Sequence, residues 1–202
     1  MRIKYLSAIF LLIMLMTACS QKQSKQESSK QERKEPPEQI SQQNQTPSSP
    51  GSFAVKSIGN VTASNQMVDF SWMENQKEVK LSDFKGKVIL LNFWATWCPP
   101  CRKELPDLSQ ISEELKDKDF VMIGISVDDN QSVLDNFLKN NRLPYKIVFE
   151  PTELVMKYME SAGQRQNVVP QTYIIDKNGK IVETILGARS KKDFLNLINK
   201  YL

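Results

Sequence analysis

A near-continuous apolar run, Lys87-Val-Ile-Leu-Leu-Asn-Phe-Trp94, leads straight into two cysteines separated by two prolines. This junction leaves the 202-residue chain few architectures. An apolar run without alternation marks a strand buried on both faces of a sheet, as happens when helices cover the sheet from both sides. Proline is tolerated in the first turn of a helix, where its missing N–H would be idle. Pro99 and Pro100 therefore mark the opening of a helix predicted to run to about Lys116.

The rest of the chain fits that frame. Val68–Met73 and Glu78–Leu81 read as two short strands around the polar turn Glu74-Asn75-Gln76-Lys77. Phe120–Val127 is a second buried strand, and Lys146–Phe149 is a short one. Helices are predicted over Ser132–Asn140, Thr152–Glu160 and Lys191–Tyr201. Thr172–Asp176 and Lys180–Ile185 flank Lys177-Asn178-Gly179, and Asn-Gly is a strong hairpin signal. Strand–helix alternation followed by a hairpin and a terminal helix argues for an α/β fold around a mixed sheet.

The N-terminus reads as an address. Arg2 and Lys4 precede an apolar run from Tyr5 to Ala18, too short for the roughly 30 Å hydrocarbon core, which takes about 20 residues. A basic start, an apolar stretch and small residues before a break describe a secretory signal. Leu15-Met16-Thr17-Ala18-Cys19 resembles a bacterial lipobox, with Met16 where Leu is usual. The expectation is a signal peptide over 1–18 and a lipid anchor on Cys19; an uncleaved anchor or a secreted form with a free Cys19 are the alternatives. Residues 20–52 are Gln, Ser, Lys, Glu and Pro almost throughout, too polar to offset their ordering entropy. Residues 19–52 are thus expected to be a disordered tether, with ends roughly 30 Å apart on average, and 53–202 the folded domain.

The chain has no histidine, which removes Ser-His-Asp and Cys-His hydrolases and His-ligated metal sites. Residues 53–202 carry a net charge of only +1, so there is no electrostatic case for nucleic acid as a partner. With Cys19 set apart, the domain's cysteines are Cys98 and Cys101. A helix N-terminus offers unpaired N–H groups and the positive end of a dipole, which favour a thiolate, the reactive form of cysteine. Four-ligand zinc is excluded for want of ligands. A static disulfide would close too small a loop to gain much chain entropy. A peroxidatic cysteine would want a nearby Pro and Thr; Thr96 lies two residues before Cys98, but no Pro precedes it. The reading is a redox-active dithiol/disulfide that needs no metal and no other cofactor.

Three segments carry a resemblance. They are Leu81-Ser-Asp-Phe-Lys-Gly-Lys87, Asn92-Phe-Trp-Ala-Thr-Trp-Cys-Pro-Pro-Cys101 and Val169-Pro-Gln-Thr-Tyr-Ile-Ile-Asp176. With them, residues 67–200 resemble the thioredoxin fold, specifically the TlpA/ResA-like extracytoplasmic thiol–disulfide oxidoreductases. The resemblance implies a thioredoxin-like α/β fold: a central mixed β-sheet flanked by helices, with an N-terminal β-hairpin extension. It implies that Pro170 is a cis-proline facing Cys98 and Cys101, with the Val169 backbone available to a bound substrate strand. Trp97, Pro99, Val169 and Pro170 are the candidate substrate-binding residues. Many thioredoxins have a buried Asp where this chain has Asn92, which cannot take a proton. Glu104 lies three residues after Cys101 on the same helix face, and the resemblance gives it an influence on the cysteines; otherwise it is a solvated helix glutamate.

The expected mechanism is attack by Cys98, at the exposed start of the helix, on a substrate disulfide, with Cys101 resolving the mixed disulfide. Neither Pro99 nor Pro100 offers an N–H to the thiolate, which points to a modestly lowered pKa and a reducing couple. The alternatives are an oxidase that inserts disulfides and a non-catalytic binding lipoprotein. The resemblance implies an exported, disulfide-bearing partner, with apocytochrome c and a methionine sulfoxide reductase as candidates, and a membrane thiol electron donor. It implies a membrane-anchored, extracytoplasmic location.

Overall fold

The computed structural model describes residues 51–202. The expected signal peptide, Cys19 and nearly all of the expected tether lie outside the described residues.

The strands, in chain order, are β1 (Phe53–Ile58), β2 (Phe70–Glu74), β3 (Lys77–Lys80), β4 (Val88–Trp94), β5 (Phe120–Ser126), β6 (Lys146–Phe149), β7 (Gln171–Ile175) and β8 (Ile181–Leu186). The helices are α1 (Pro99–Glu114), α2 (Gln131–Asn140), α3 (Glu153–Ser161) and α4 (Lys191–Ile198), with a 3-10 turn over Leu81–Phe84. All strands join one eight-stranded sheet in the order β3-β2-β1-β6-β5-β4-β7-β8. β4, β5 and β6 are parallel, β7 runs antiparallel to β4, and β8 antiparallel to β7. The sheet is mixed, as the sequence pattern predicts.

β4 is buried along its whole length. Its side chains alternate between two cores. Val88, Leu90 and Trp94 meet residues of α1, α2 and α4, including Leu105, Leu108, Leu134 and Phe194. Ile89, Leu91 and Phe93 meet Leu154, Val155 and Tyr158 of α3 together with Phe70 and Trp72 of β2. Phe93, Tyr158 and Tyr173 pack as an aromatic triangle with ring centroids 5.2 to 5.9 Å apart, a favourable spacing for tilted and edge contacts.

The β2–β3 hairpin turns on Asn75 and Gln76, both in the left-handed region at φ 50° and 64°. Positive φ at both central residues is what a two-residue hairpin needs to match strand twist. The hairpin predicted at Lys177-Asn178-Gly179 is also present, with Gly179 at φ 86°.

The element missing from the sequence reading is β1. It pairs parallel with β6 on one side and antiparallel with β2 on the other. The N-terminal hairpin is therefore a continuation of the main sheet through β1. Phe53, Val55 and Ile58 pack against the core, but charged and small residues separate them, so the run lacks the apolar density of β4. At its other end the last helix is shorter than predicted, stopping at Ile198 in place of Tyr201.

Candidate active site

The site forms where β4 ends and β7 begins. These neighbouring antiparallel strands bring their loops to the same edge of the sheet. Cys98 is the N-cap residue of α1, with extended backbone at φ −91° and ψ 107°. Its Sγ takes the place of the usual capping oxygen and accepts the Cys101 backbone N–H at 3.2 Å. Pro99 and Pro100 have no N–H to offer, so Cys101 supplies the donor of the first helical turn to this sulfur. That donor escaped the sequence reading, which weighed only the two intervening residues. Cys98 and Cys101 are joined as a disulfide. Cys101 is completely buried, whereas Cys98 retains a sliver of exposure.

Across the site, the Val169–Pro170 peptide is cis. The Val169 carbonyl oxygen lies 3.7 Å from the Cys98 Sγ. Trp97, next to Cys98 in the chain, is 61% exposed, and Val168, next to Val169, is 42% exposed, so exposed apolar residues flank the site on both segments. Pro99 is exposed on its other side. The structure thus gathers Trp97, Cys98, Pro99, Val169 and Pro170 around one sulfur.

Glu104 is not a solvated helix residue. It is 2% exposed, one turn beyond Cys101 on the inner face of α1. Oε1 accepts from the Asn92 side-chain amide at 3.0 Å, and Oε2 accepts from the Arg189 backbone N–H at 3.3 Å. The Asn92 amide nitrogen also donates to the Thr172 hydroxyl at 2.9 Å. Asn92 and Glu104 thus form one unit joining β4, α1 and β7. Burial raises the Glu104 carboxyl to about 7; the hydrogen bonds from Asn92 and the Arg189 backbone pull the other way but do not cancel it. A carboxyl that titrates near neutrality behind a redox pair can hold or release a proton as the pair changes state.

Asp128 is a further residue of the site that the sequence reading passed over. It is 1% exposed. Its carboxylate accepts from the Thr96 backbone N–H at 3.1 Å, the Thr96 hydroxyl at 2.6 Å and the Ser126 hydroxyl at 2.7 Å. Its position was a usable signal: it lies just past the carboxyl end of a buried parallel strand, where such folds place functional groups. The Thr96 hydroxyl is committed to Asp128, so a peroxidase-type use of Thr96 is not what this site is built for. Asp128→Ala is expected to cost roughly 1–3 kcal/mol by leaving these donors without an acceptor. It should also slow disulfide exchange, because the Trp97–Cys98 segment loses its hold. Urea unfolding and a stopped-flow exchange assay check the two effects.

The model of the AhpC/TSA family matches residues 63–184. The chain belongs to the AhpC/TSA family. It is 34% identical, over 125 residues, to a thiol-disulfide oxidoreductase ResA of Bacillus cereus; the match covers 61% of this chain and 69% of that relative. A crystal structure of a thiol:disulfide interchange protein, a thioredoxin family protein from Chlorobium tepidum TLS, superposes with a TM-score of 0.61 at 29% identity, covering 68% of this chain and 96% of that one. The pneumococcal exposed lipoprotein thioredoxin from Streptococcus pneumoniae gives 0.55 at 30% identity, covering 65% and 98%. This AhpC/TSA family member is a thiol–disulfide oxidoreductase with a thioredoxin-like fold.

Proposed function

We propose that the enzyme works outside the cytoplasm, anchored through lipid on Cys19, and reduces disulfides of exported proteins with Cys98 and Cys101. The observation that carries this reading is the Cys98–Cys101 disulfide at the start of α1, with the Val169 carbonyl 3.7 Å from the Cys98 sulfur. Cys98, as thiolate, attacks one sulfur of the substrate disulfide and expels the other as a thiolate. The buried Cys101 thiolate then attacks Cys98 Sγ, which closes the Cys98–Cys101 disulfide and releases the second substrate thiolate. Two electrons pass to the substrate, and a dithiol donor at the membrane restores the pair. The two sulfurs are the redox centre, and no further cofactor takes part. Trp97, Pro99, Val169 and Pro170 border the substrate segment, and the Val169 backbone offers its carbonyl to an extended strand. Glu104 supplies or takes up the proton of the buried sulfur.

Weak support for the thiolate favours the reducing direction. One backbone N–H, from Cys101, reaches Cys98. A weakly stabilised reduced form makes a poor oxidant, so the couple lies on the reducing side. Resemblance to the pneumococcal exposed lipoprotein thioredoxin supports the location and the anchor. Among the described residues, no helix is long and apolar enough to cross a membrane. Equilibration with glutathione buffers tests the direction. The expected potential is nearer the roughly −270 mV of thioredoxin than the roughly −120 mV of a strong oxidant; a value near the latter would replace the reductase by an oxidase. A deletion strain separates the candidate partners: loss of c-type cytochromes indicates apocytochrome c, and accumulation of oxidised methionine a methionine sulfoxide reductase.

A further inference from the structure

A groove of about 720 Å³ starts at Pro99, next to the reactive sulfur, and runs between α1 and the end of α2. Its floor is apolar, with Phe137 and Leu143. Its walls carry Arg102 and Lys103 from α1 and Arg142 from the loop after α2, and no carboxylate lines it. All three cations are exposed, and none takes part in an ion pair among the described residues. Seven lysines elsewhere on the domain face a carboxylate within 4.0 Å, and others, such as Lys85 and Lys139, are unpaired like these three; what sets the three apart is that they line one groove beside the reactive sulfur.

Helix stability does not account for this arrangement. The first turns of a helix favour anions, and cations there oppose the dipole. α1 has no acidic residue in its first turn, yet Arg102 and Lys103 stand at that end. Nor does overall composition account for it, since residues 53–202 are nearly neutral. A cluster of one sign on a nearly neutral surface concentrates the field where it stands.

We propose that this groove holds an acidic segment of the disulfide-bearing partner, flanking the cysteine that Cys98 attacks. The proposal rests on the disulfide-exchange reading above and names the class of substrate that the site prefers: an extended polypeptide with Asp or Glu beside its disulfide. The apolar floor takes the stems of that segment, and the three cations take its carboxylates. Because these cations are exposed, their attraction is screened by salt and acts chiefly on the rate of encounter.

The test uses the pre-reduced full-length chain and two disulfide peptides that differ only in flanks of Asp/Glu or Ser/Asn. The second-order exchange rate is expected to favour the acidic peptide by roughly tenfold at low salt. The preference should fall toward parity at about 1 M salt, where the Debye length is about 3 Å. Arg142→Glu should reduce the preference and leave the neutral peptide's rate unchanged, and Lys103→Glu should reduce the preference as well. Arg142 is the sharper variant, since it stands on a loop outside α1. Equal rates for the two peptides, or a preference that survives both substitutions, would overturn the proposal while leaving disulfide exchange intact. Exchange with neither peptide would instead overturn the exchange reading itself. An anionic membrane surface is the competing occupant. Binding of the full-length Cys19→Ala chain to phosphatidylglycerol vesicles that is lost in Arg142→Glu, without a peptide preference, would assign the groove to lipid headgroups.

Discussion

Cys98→Ser is expected to abolish disulfide exchange, lowering the rate by on the order of 10³-fold or more, as removal of a nucleophile does. Serine in the same place keeps the cap but offers no thiolate at neutral pH. Cys101→Ser should behave differently. Cys98 remains, still capped by the backbone N–H of residue 101, so the first attack proceeds. The sulfur that would resolve the adduct is gone, and the mixed disulfide accumulates. The difference follows from burial: Cys101 is completely enclosed, whereas Cys98 keeps some exposure at the apolar rim. Non-reducing gels and mass spectrometry of the trapped adduct read the result. Residual turnover in Cys98→Ser, or absence of an adduct in Cys101→Ser, would reverse the assignment of the two sulfurs.

The second large effect belongs to Glu104 and concerns stability. Its carboxyl is raised from 4.5 to about 7, chiefly by burial. The groups that face it are Asn92 from β4, Arg189 from the loop before α4, Asp107 from its own helix and Tyr145 from the segment before β6. Between pH 4.5 and about 7 the folded protein keeps this proton while the unfolded chain has released it. Protonation therefore favours the fold, and stability falls as pH rises through that window. The loss amounts to about 3 kcal/mol at 1.36 kcal/mol per pK unit, and it persists above the window, where both states are ionised. Glu104→Gln should flatten this dependence and leave the mutant relatively more stable at pH 8 than at pH 4.5. Urea unfolding of the oxidised protein at the two pH values measures it. Parallel slopes in wild type and mutant would place the titrating group elsewhere.

Much of this molecule is legible in the sequence because its strongest signals are local. β4 declares itself through unbroken apolarity, the start of α1 through its prolines, and the last hairpin through Asn-Gly. What escapes is whatever depends on non-local contact. β1 acquires its identity by fitting between β2 and β6, and its residues alone carry too little apolar density to mark it. Asn92 and Glu104 read separately, as a lost proton acceptor and a helix acid with an influence on the cysteines. Only the close approach of β4 to α1 shows that the amide of one holds the carboxylate of the other. Asp128 sits at a telling position in its strand, but its grip on Thr96 spans 32 residues and leaves no periodic trace. The donor from Cys101 to Cys98 is a property of cap geometry, which a count of intervening N–H groups does not capture.

The placement of the three indoles has an optical consequence. Trp72 and Trp94 are sealed from water, and Trp97, covalently adjacent to Cys98, is open to it. A disulfide in contact with an excited indole quenches its emission, and reduction removes the quencher. Trp94 shares a core cluster with Cys98 and Cys101 and Trp97 is bonded to Cys98, so these two indoles report the state of the sulfurs, while Trp72, in the other core, provides a steady background. The native chain carries its own gauge, so its electron transfers can be followed continuously, without a label and without a coupled reductase.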